Sequence, residues 1–287
     1  MGDPQKRFLC LFNLATFDDL PGFSSPPADR SLEAVAEAGY DGVQLVVAPE
    51  AGILRKCRDL GFYVAGSGRV NKPAEVHVLG RNLADSGLPC ATLHVGWGME
   101  DSDEAHALIE AVLEASVRFQ IALWPETHRA TIFQDLWRTV QFLKRYPALM
   151  LNGDFSHWYT GLELVYGGFA NKLHYMQPVL ERIRFLHGRI GNPGCIQVAI
   201  REDAQEDHVS HFQTMWTSAM EGFLRHADPS TVLLFATELL SPRIFYARSF
   251  PTATGEVKEE SDRWEQSLLL CRMARASWQK ATLNLDS

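Results

Sequence analysis

The stretch "PALMLNGDFSHWYT", Pro147 to Thr160, opens as an apolar strand and ends in an acid and a histidine. Leu149, Met150 and Leu151 suit a buried run, whereas Asp154 and His157 arrive at its tip. The same shape recurs along the chain. Short apolar runs start at Phe8 ("FLCLFNL"), Gly42 ("GVQLVV"), Phe62 ("FYVAG") and Ala91 ("ATLHVGW"). Others start at Ile121 ("IALWPETH"), Leu149 ("LMLNGDF"), Ile183 ("IRFLHGRIG") and Thr231 ("TVLLFATELL"). Amphipathic stretches lie between them. In "SDEAHALIEAVLEASVRF", Ala107, Leu108, Ala111, Val112 and Ala115 mark one face at helical spacing. Gly39 and Gly61 each stand between helix and strand, where a left-handed stop is often needed. The last helix is expected over "SDRWEQSLLLCRMARASWQK", with Ser261 as its cap and "KEES" as its solvated start.

Eight strands with intervening helices argue for parallel pairing through right-handed crossovers. Eight such units close most simply into a (β/α)8 TIM barrel, one domain over 1–287 with the barrel at roughly 8–280. An open doubly wound sheet is the alternative, weakened because no Gly-rich phosphate loop follows the first strand. Long loops are expected after strands six, seven and eight, over Trp158–Tyr175, Ile190–Asp207 and Ser241–Glu260. All three would emerge on the face that carries active sites in such barrels.

Composition narrows the class. With 287 residues, 46% hydrophobic and 22% charged, the chain can bury a core without disulfides. A net charge of -8 disfavours a nucleic-acid partner. Cys10, Cys57, Cys90, Cys195 and Cys271 form no CxxC pair, so neither a disulfide framework nor a thiolate zinc site is indicated. Neither a signal peptide nor a membrane span is visible, which makes the cytoplasm the expected location.

Four strand tips then carry the chemistry. Strand five delivers Glu126 ("WPETH"), strand six Asp154 and His157, strand seven His187 and Arg189 ("FLHGR"), and strand eight Glu238 ("FATELL"). Three carboxylates converging on one mouth would repel each other and lose hydration, at several kcal/mol per unpaired ion. A divalent cation offsets that cost, and the oxygen-rich set with one imidazole suits manganese, magnesium, cobalt or zinc. Taken singly, Glu126 can instead pair with His128 or Arg129, and Asp154 and Ser156 can simply cap a loop. Glu238 has no nearby cation in sequence before Arg243. His94 ends strand four at the same mouth; it joins the candidate substrate-binding set, with core packing equally open to it. Trp97, Trp158 and Tyr159 suit either pocket walls or the barrel rim. His208 and His211 fall at a helix start, where a solvated face is the simpler reading.

The ordered set E-T-H, D-F-S-H, H-G-R and T-E-L on consecutive strands resembles the xylose isomerase-like barrel superfamily, from Phe8 to about Trp278. That family includes sugar isomerases, ketose epimerases, dehydratases and apurinic-site endonucleases. The resemblance implies Glu126, Asp154, His187 and Glu238 as metal ligands, His157 as a substrate-binding histidine and Arg189 beside substrate oxygens. Gln44 stands where many relatives carry glutamate. Glu126 and Glu238 come from well-separated strands, so one can remove a C–H proton and the other return it on the opposite face. The expected activity is a metal-dependent sugar or polyol isomerase or epimerase working through a metal-stabilised enediolate. A dehydratase or hydrolase on the same barrel, and a non-catalytic small-molecule binder, are the alternatives. Aromatic loops would also suit a homo-oligomer.

Overall fold

A computed structural model describes residues 7–23, 27–46 and 50–286. Eight parallel strands form the barrel: β1 (Phe8–Asn13), β2 (Gly42–Gln44), β3 (Tyr63–Val70), β4 (Cys90–Val95), β5 (Ala122–Pro125), β6 (Leu151–Gly153), β7 (Ile183–Gly188) and β8 (Leu233–Thr237). Pairing runs continuously from β5 through β1 and β8 to β6. The ring closes between β5 and β6 through a parallel bridge of Glu126 with Asn152. The seam is therefore made at the tips that carry the candidate site.

Around the strands run α1 (Asp29–Glu37), α2 (Ala51–Asp59), α3 (Pro73–Asp85), α4 (Ser102–Phe119), α5 (Leu136–Arg145), α6 (Phe155–Gly161), α7 (Phe169–Leu180), α8 (Asp207–His226) and α9 (Arg263–Asp286). Gly39 and Gly61 take positive φ of 82° and 71° after α1 and α2, as their position between helix and strand demands. The buried face of α4 is Ala105, Leu108, Ile109, Ala111, Val112 and Ala115; Ala107 is exposed, so the face is turned slightly from the expected one.

Alternation along each strand sorts the side chains. Phe8, Cys10 and Phe12 of β1 pack outward in the large core between strands and helices. Leu11, Ala65, Cys90, Phe185, Leu234 and Ala236 pack inside the barrel, with Leu9, Tyr63, Ala122 and Trp124 against them. Continuing these inward registers toward the strand ends gives Asn13, Arg69, His94, Glu126, His187 and Glu238. The apolar plug supports a polar upper layer.

Several expectations need correction. Trp158–Tyr175 is mostly helical, since α6 and the start of α7 occupy it. Trp158 and Tyr159 are fully buried, with Trp158 Nε1 donating to Phe133 O at 3.0 Å, so they are packing residues; Trp97 is 54% exposed. The loop after β8 contains an antiparallel hairpin, β9 (Ser249–Pro251) and β10 (Val257–Glu259). Lys258 and Glu259 of "KEES" belong to that hairpin, and Glu260 pairs with Arg248. The chain therefore enters α9 later than expected. Asp262 caps it in place of Ser261, its Oδ1 accepting from Trp264 N at 2.7 Å. Among the described residues no helix is long and apolar enough to cross a membrane.

Candidate metal centre and pocket

Glu126, Asp154, His187 and Glu238 come together. Each offers one ligand atom, and these atoms all lie within 4.8 Å of one another. Two ligands on one ion with bonds of about 2.0–2.2 Å lie roughly 3–4.4 Å apart, so the four groups stand near ligating distance and would draw inward around an ion. Glu126 Oε1 is buried without a hydrogen-bond partner, which leaves its lone pairs free. The donor set is hard and oxygen-rich. The residues fit a divalent ion.

The counter-charges were expected to come from an ion alone, and here the structure differs. Arg189, fully buried, contacts Asp154 Oδ2 through Nη2, and its Nη1 lies 3.1 Å from Glu238 Oε2. His187 Nδ1 sits 3.3 Å from Glu126 Oε2 and 3.4 Å from Glu238 Oε2. Two cations are thus interleaved with three carboxylates, and Glu238 has its partners without Arg243, which pairs with Asp19 at 2.8 Å. Arg189, expected beside substrate oxygens, is packed against Asp154 and under the Tyr246 ring, 4.7 Å from its centroid. Glu126 meets His94 at 3.4 Å and His187 at 3.3 Å, and His128 stands close by, its ligand atom within 4.8 Å of those of His94 and Glu126.

Asp154 does two jobs. Its Oδ1 caps α6, accepting from Ser156 N at 3.0 Å and Ser156 Oγ at 2.6 Å. Its Oδ2 faces His157 Nε2 at 3.4 Å as well as Arg189. The loop-capping reading and the ligand reading therefore describe different oxygens of one carboxylate.

Electrostatics fix the protonation states. Burial works to raise the Glu126 carboxyl, but His187 and His94 outweigh it and hold the group well below the usual carboxylate range. Asp154 is likewise held low, against its burial, by Arg189 and His157. Burial would neutralise His187, yet Glu238 and Glu126 push it up to about 9. The two carboxylates favour its imidazolium form, in which Nδ1–H faces them and Nε2–H faces Gln44 Oε1 at 3.0 Å. Burial pushes His128 down to about 2, and its Nε2 meets Tyr246 Oη at 3.2 Å. His157 is lowered by burial too. The His94, His128 and His157 rings pack in series, tilted by 35° and 47°, with centroids 4.0 and 3.8 Å apart.

Beside this centre opens a cavity of about 280 Å³, lined by Glu126, His187 and Glu238 and by Gln44, Thr92, His94, Ser67 and Arg69. Asp154, His157 and Arg189 lie behind it, so His94 is the candidate substrate-binding residue that reaches the cavity. His211 is not part of the site: it stacks on Phe169 at 3.7 Å and bonds Tyr159 Oη at 2.9 Å.

Three neutral groups, Asn13, Thr92 and Asn152, were missed by sequence reasoning. Asn13 Nδ2 donates to Gln44 Oε1 at 2.8 Å and to Glu238 Oε1 at 3.2 Å. Gln44 Nε2 donates to Thr92 Oγ1 at 2.9 Å. Asn152 Nδ2 donates to Glu126 Oε2 at 3.0 Å. The signal that finds them is register: Leu9-Leu11-Asn13, Cys90-Thr92-His94 and Asn152-Asp154 each continue an inward-facing row. Tyr246 lies on a loop with no such signal.

No protein-family model matches the chain, and no curated protein does. Solved structures share its fold. D-allulose 3-epimerase from Methylomonas sp. aligns over 96% of this chain and 98% of its own, at 12% identity and TM-score 0.59. A xylose isomerase-like TIM barrel protein from Mycobacterium smegmatis, in complex with magnesium, aligns over 96% and 99% at 13% identity and TM-score 0.56. A protein described as a 3-DHS dehydratase from Bacillus anthracis aligns over 82% and 93% at 13% identity and TM-score 0.52. At such identities the likeness shows the fold: this chain is a (β/α)8 TIM barrel.

Proposed function

We propose that this barrel is a divalent-metal-dependent isomerase or epimerase of a sugar or polyol, working by proton transfer at a carbon next to a carbonyl. One observation carries the reading: Glu126 and Glu238, from strands β5 and β8, both line the cavity, and their ligand atoms lie within 4.8 Å of those of Asp154 and His187. When bound, a divalent ion would be held by Glu126, Asp154, His187 and Glu238 and would supply Lewis-acid stabilisation of negative charge developing on a substrate oxygen.

The chain's own groups do the rest. Glu126 Oε1 has no protein partner and can accept a proton from a substrate C–H. Glu238, 13% exposed and across His187 from it, can return one from the other side. Transfer from opposite sides inverts a carbon centre, while return to the neighbouring carbon isomerises. His94 and Thr92 stand at the cavity wall, where they can bond hydroxyl groups and orient the chain. The buried amides Asn13, Gln44 and Asn152 hold Glu238, His187 and Glu126 in place. His157 backs Asp154, and Arg189 holds that carboxylate until an ion takes its place.

The test is metal analysis of the purified protein, then a ketose and polyol panel in deuterated water. Deuterium entering a substrate C–H position supports the reading. Net loss of water without exchange points to a dehydratase, and a metal-free, inert protein that still binds polyols points to a binder.

A further inference from the structure

The cavity contains a cation that this chemistry does not use. β3 is eight residues long against three in β2, and alternation puts Ser67 and Arg69 on its inner face. The outer face is locked: a Cβ on Gly68 would meet Leu79 Cδ2 at 2.5 Å, and one on Gly66 would meet Leu88 Cδ1 at 3.0 Å. A slip of one residue is thereby blocked, and Arg69 stands level with His94 on β4 at the cavity mouth.

Its hydrogen-bond partners are two backbone carbonyls and an imidazole. Arg69 Nη1 donates to Gly96 O at 2.9 Å and Ala130 O at 3.3 Å, and Nη2 meets His94 Nδ1 at 3.3 Å. Among the described residues no carboxylate lies within ion-pair distance of it and its Nε–H has no partner; Arg189, Arg243, Arg248 and Arg263 all have acidic partners. A guanidinium only donates, so His94 Nδ1 accepts and the ring proton sits on Nε2, 3.4 Å from Glu126 Oε2. One imidazole therefore separates an uncompensated cation at the rim from the carboxylate at the floor. A guanidinium held in place by carbonyls, with N–H groups to spare, is a fork suited to carboxylate or phosphate oxygens.

The geometry points to a substrate that carries an anionic group, carboxylate or phosphate ester, at the end remote from the reacting carbon, with Arg69 as the residue that reads it. The inference rests on the isomerase or epimerase reading for the reacting end alone. Binding tests it without turnover. Isothermal titration of the metal-loaded protein would compare a six-carbon polyol, its terminal carboxylate and its terminal phosphate ester, in wild type, Arg69→Gln and Arg69→Lys. Wild type should bind one anionic form about ten-fold or more tightly than the neutral polyol, and which one identifies the group. Arg69→Gln should bring that ratio to about one, and Arg69→Lys should keep part of it.

Equal binding of the three ligands by wild type, or of none, would overturn the inference. So would an anion preference that survives in Arg69→Gln, since it would put the charge on the metal centre. Deuterium exchange read in parallel keeps the two proposals apart. Exchange into neutral ketoses without an anion preference removes only the role of Arg69, whereas anion-selective binding without exchange removes only the isomerase reading.

Discussion

The two halves of the barrel mouth are built from different chemistry. From β5 to β8 the chain places Glu126, Asp154, His187, Arg189 and Glu238, five ionisable groups in mutual contact. From β1 to β4 it places Asn13, Gln44, Ser67 and Thr92, with His94 and Arg69 at the rim. Charge is gathered where a cation can neutralise it, and the opposite wall offers amides and hydroxyls. The neutral half also anchors the charged one, because Gln44 Oε1 takes bonds from both Asn13 and His187. Such an arrangement suits the proposed ion on one side and leaves the other for hydroxyl groups.

Disabling either half should have unequal effects. Glu126→Gln or Glu238→Gln should lower turnover by roughly 10²–10⁴-fold with the fold intact, because each removes a proton acceptor at a strand tip. Steady-state rates on the substrate found by the deuterium panel check this, and normal rates in either variant would end the acid/base assignment. Asp154→Ala should cost about 3 kcal/mol, since it strips the buried Arg189 of one of its carboxylates. Thermal denaturation should show a drop in Tm of roughly 6–10 °C, and metal analysis should show the ion lost.

On the neutral side, Gln44→Leu should cost about 2 kcal/mol, because buried donors on Asn13 and His187 lose their acceptor. An unchanged Tm would mean that the amide row is not an anchor. A separate test is in pH. His187 is raised from the ordinary 6.5 to about 9, so in metal-free protein its stabilisation is complete below the unfolded value and fades as pH rises toward 9. Tm should fall across that window in metal-free protein and stay flatter in His187→Gln. Ion uptake at pH 7 should release about one proton, measurable by titration in buffers of different ionisation enthalpy.

How much of this was legible in the sequence follows the same division. The strands were readable because each is an apolar run between turn signals, and parallel pairing follows from the helices between them. Glu126, Asp154, His187 and Glu238 were readable because ionisable groups closing apolar runs need an explanation. Asn13, Thr92 and Asn152 were not, since amides and hydroxyls at strand ends look like ordinary loop entry until the inward register is counted. The pairing of Arg189 with Asp154 depends on how β6 and β7 sit side by side, which residue types do not state. The α6 helix was hidden by its capping: "DFSHW" reads as a polar tip, yet Asp154 Oδ1 starts a helix there. The hairpin β9–β10 was hidden because all but its last residue are exposed, so it has no apolar alternation to betray it.

The most direct test is a crystal grown with manganese and measured for anomalous scattering. A single peak should lie within about 2.0–2.3 Å of oxygens of Glu126, Asp154 and Glu238 and of a His187 nitrogen, with the Arg189 guanidinium displaced from Asp154 Oδ2. Arg189 still seated on Asp154, with no peak among the four side chains at millimolar manganese, would contradict the account.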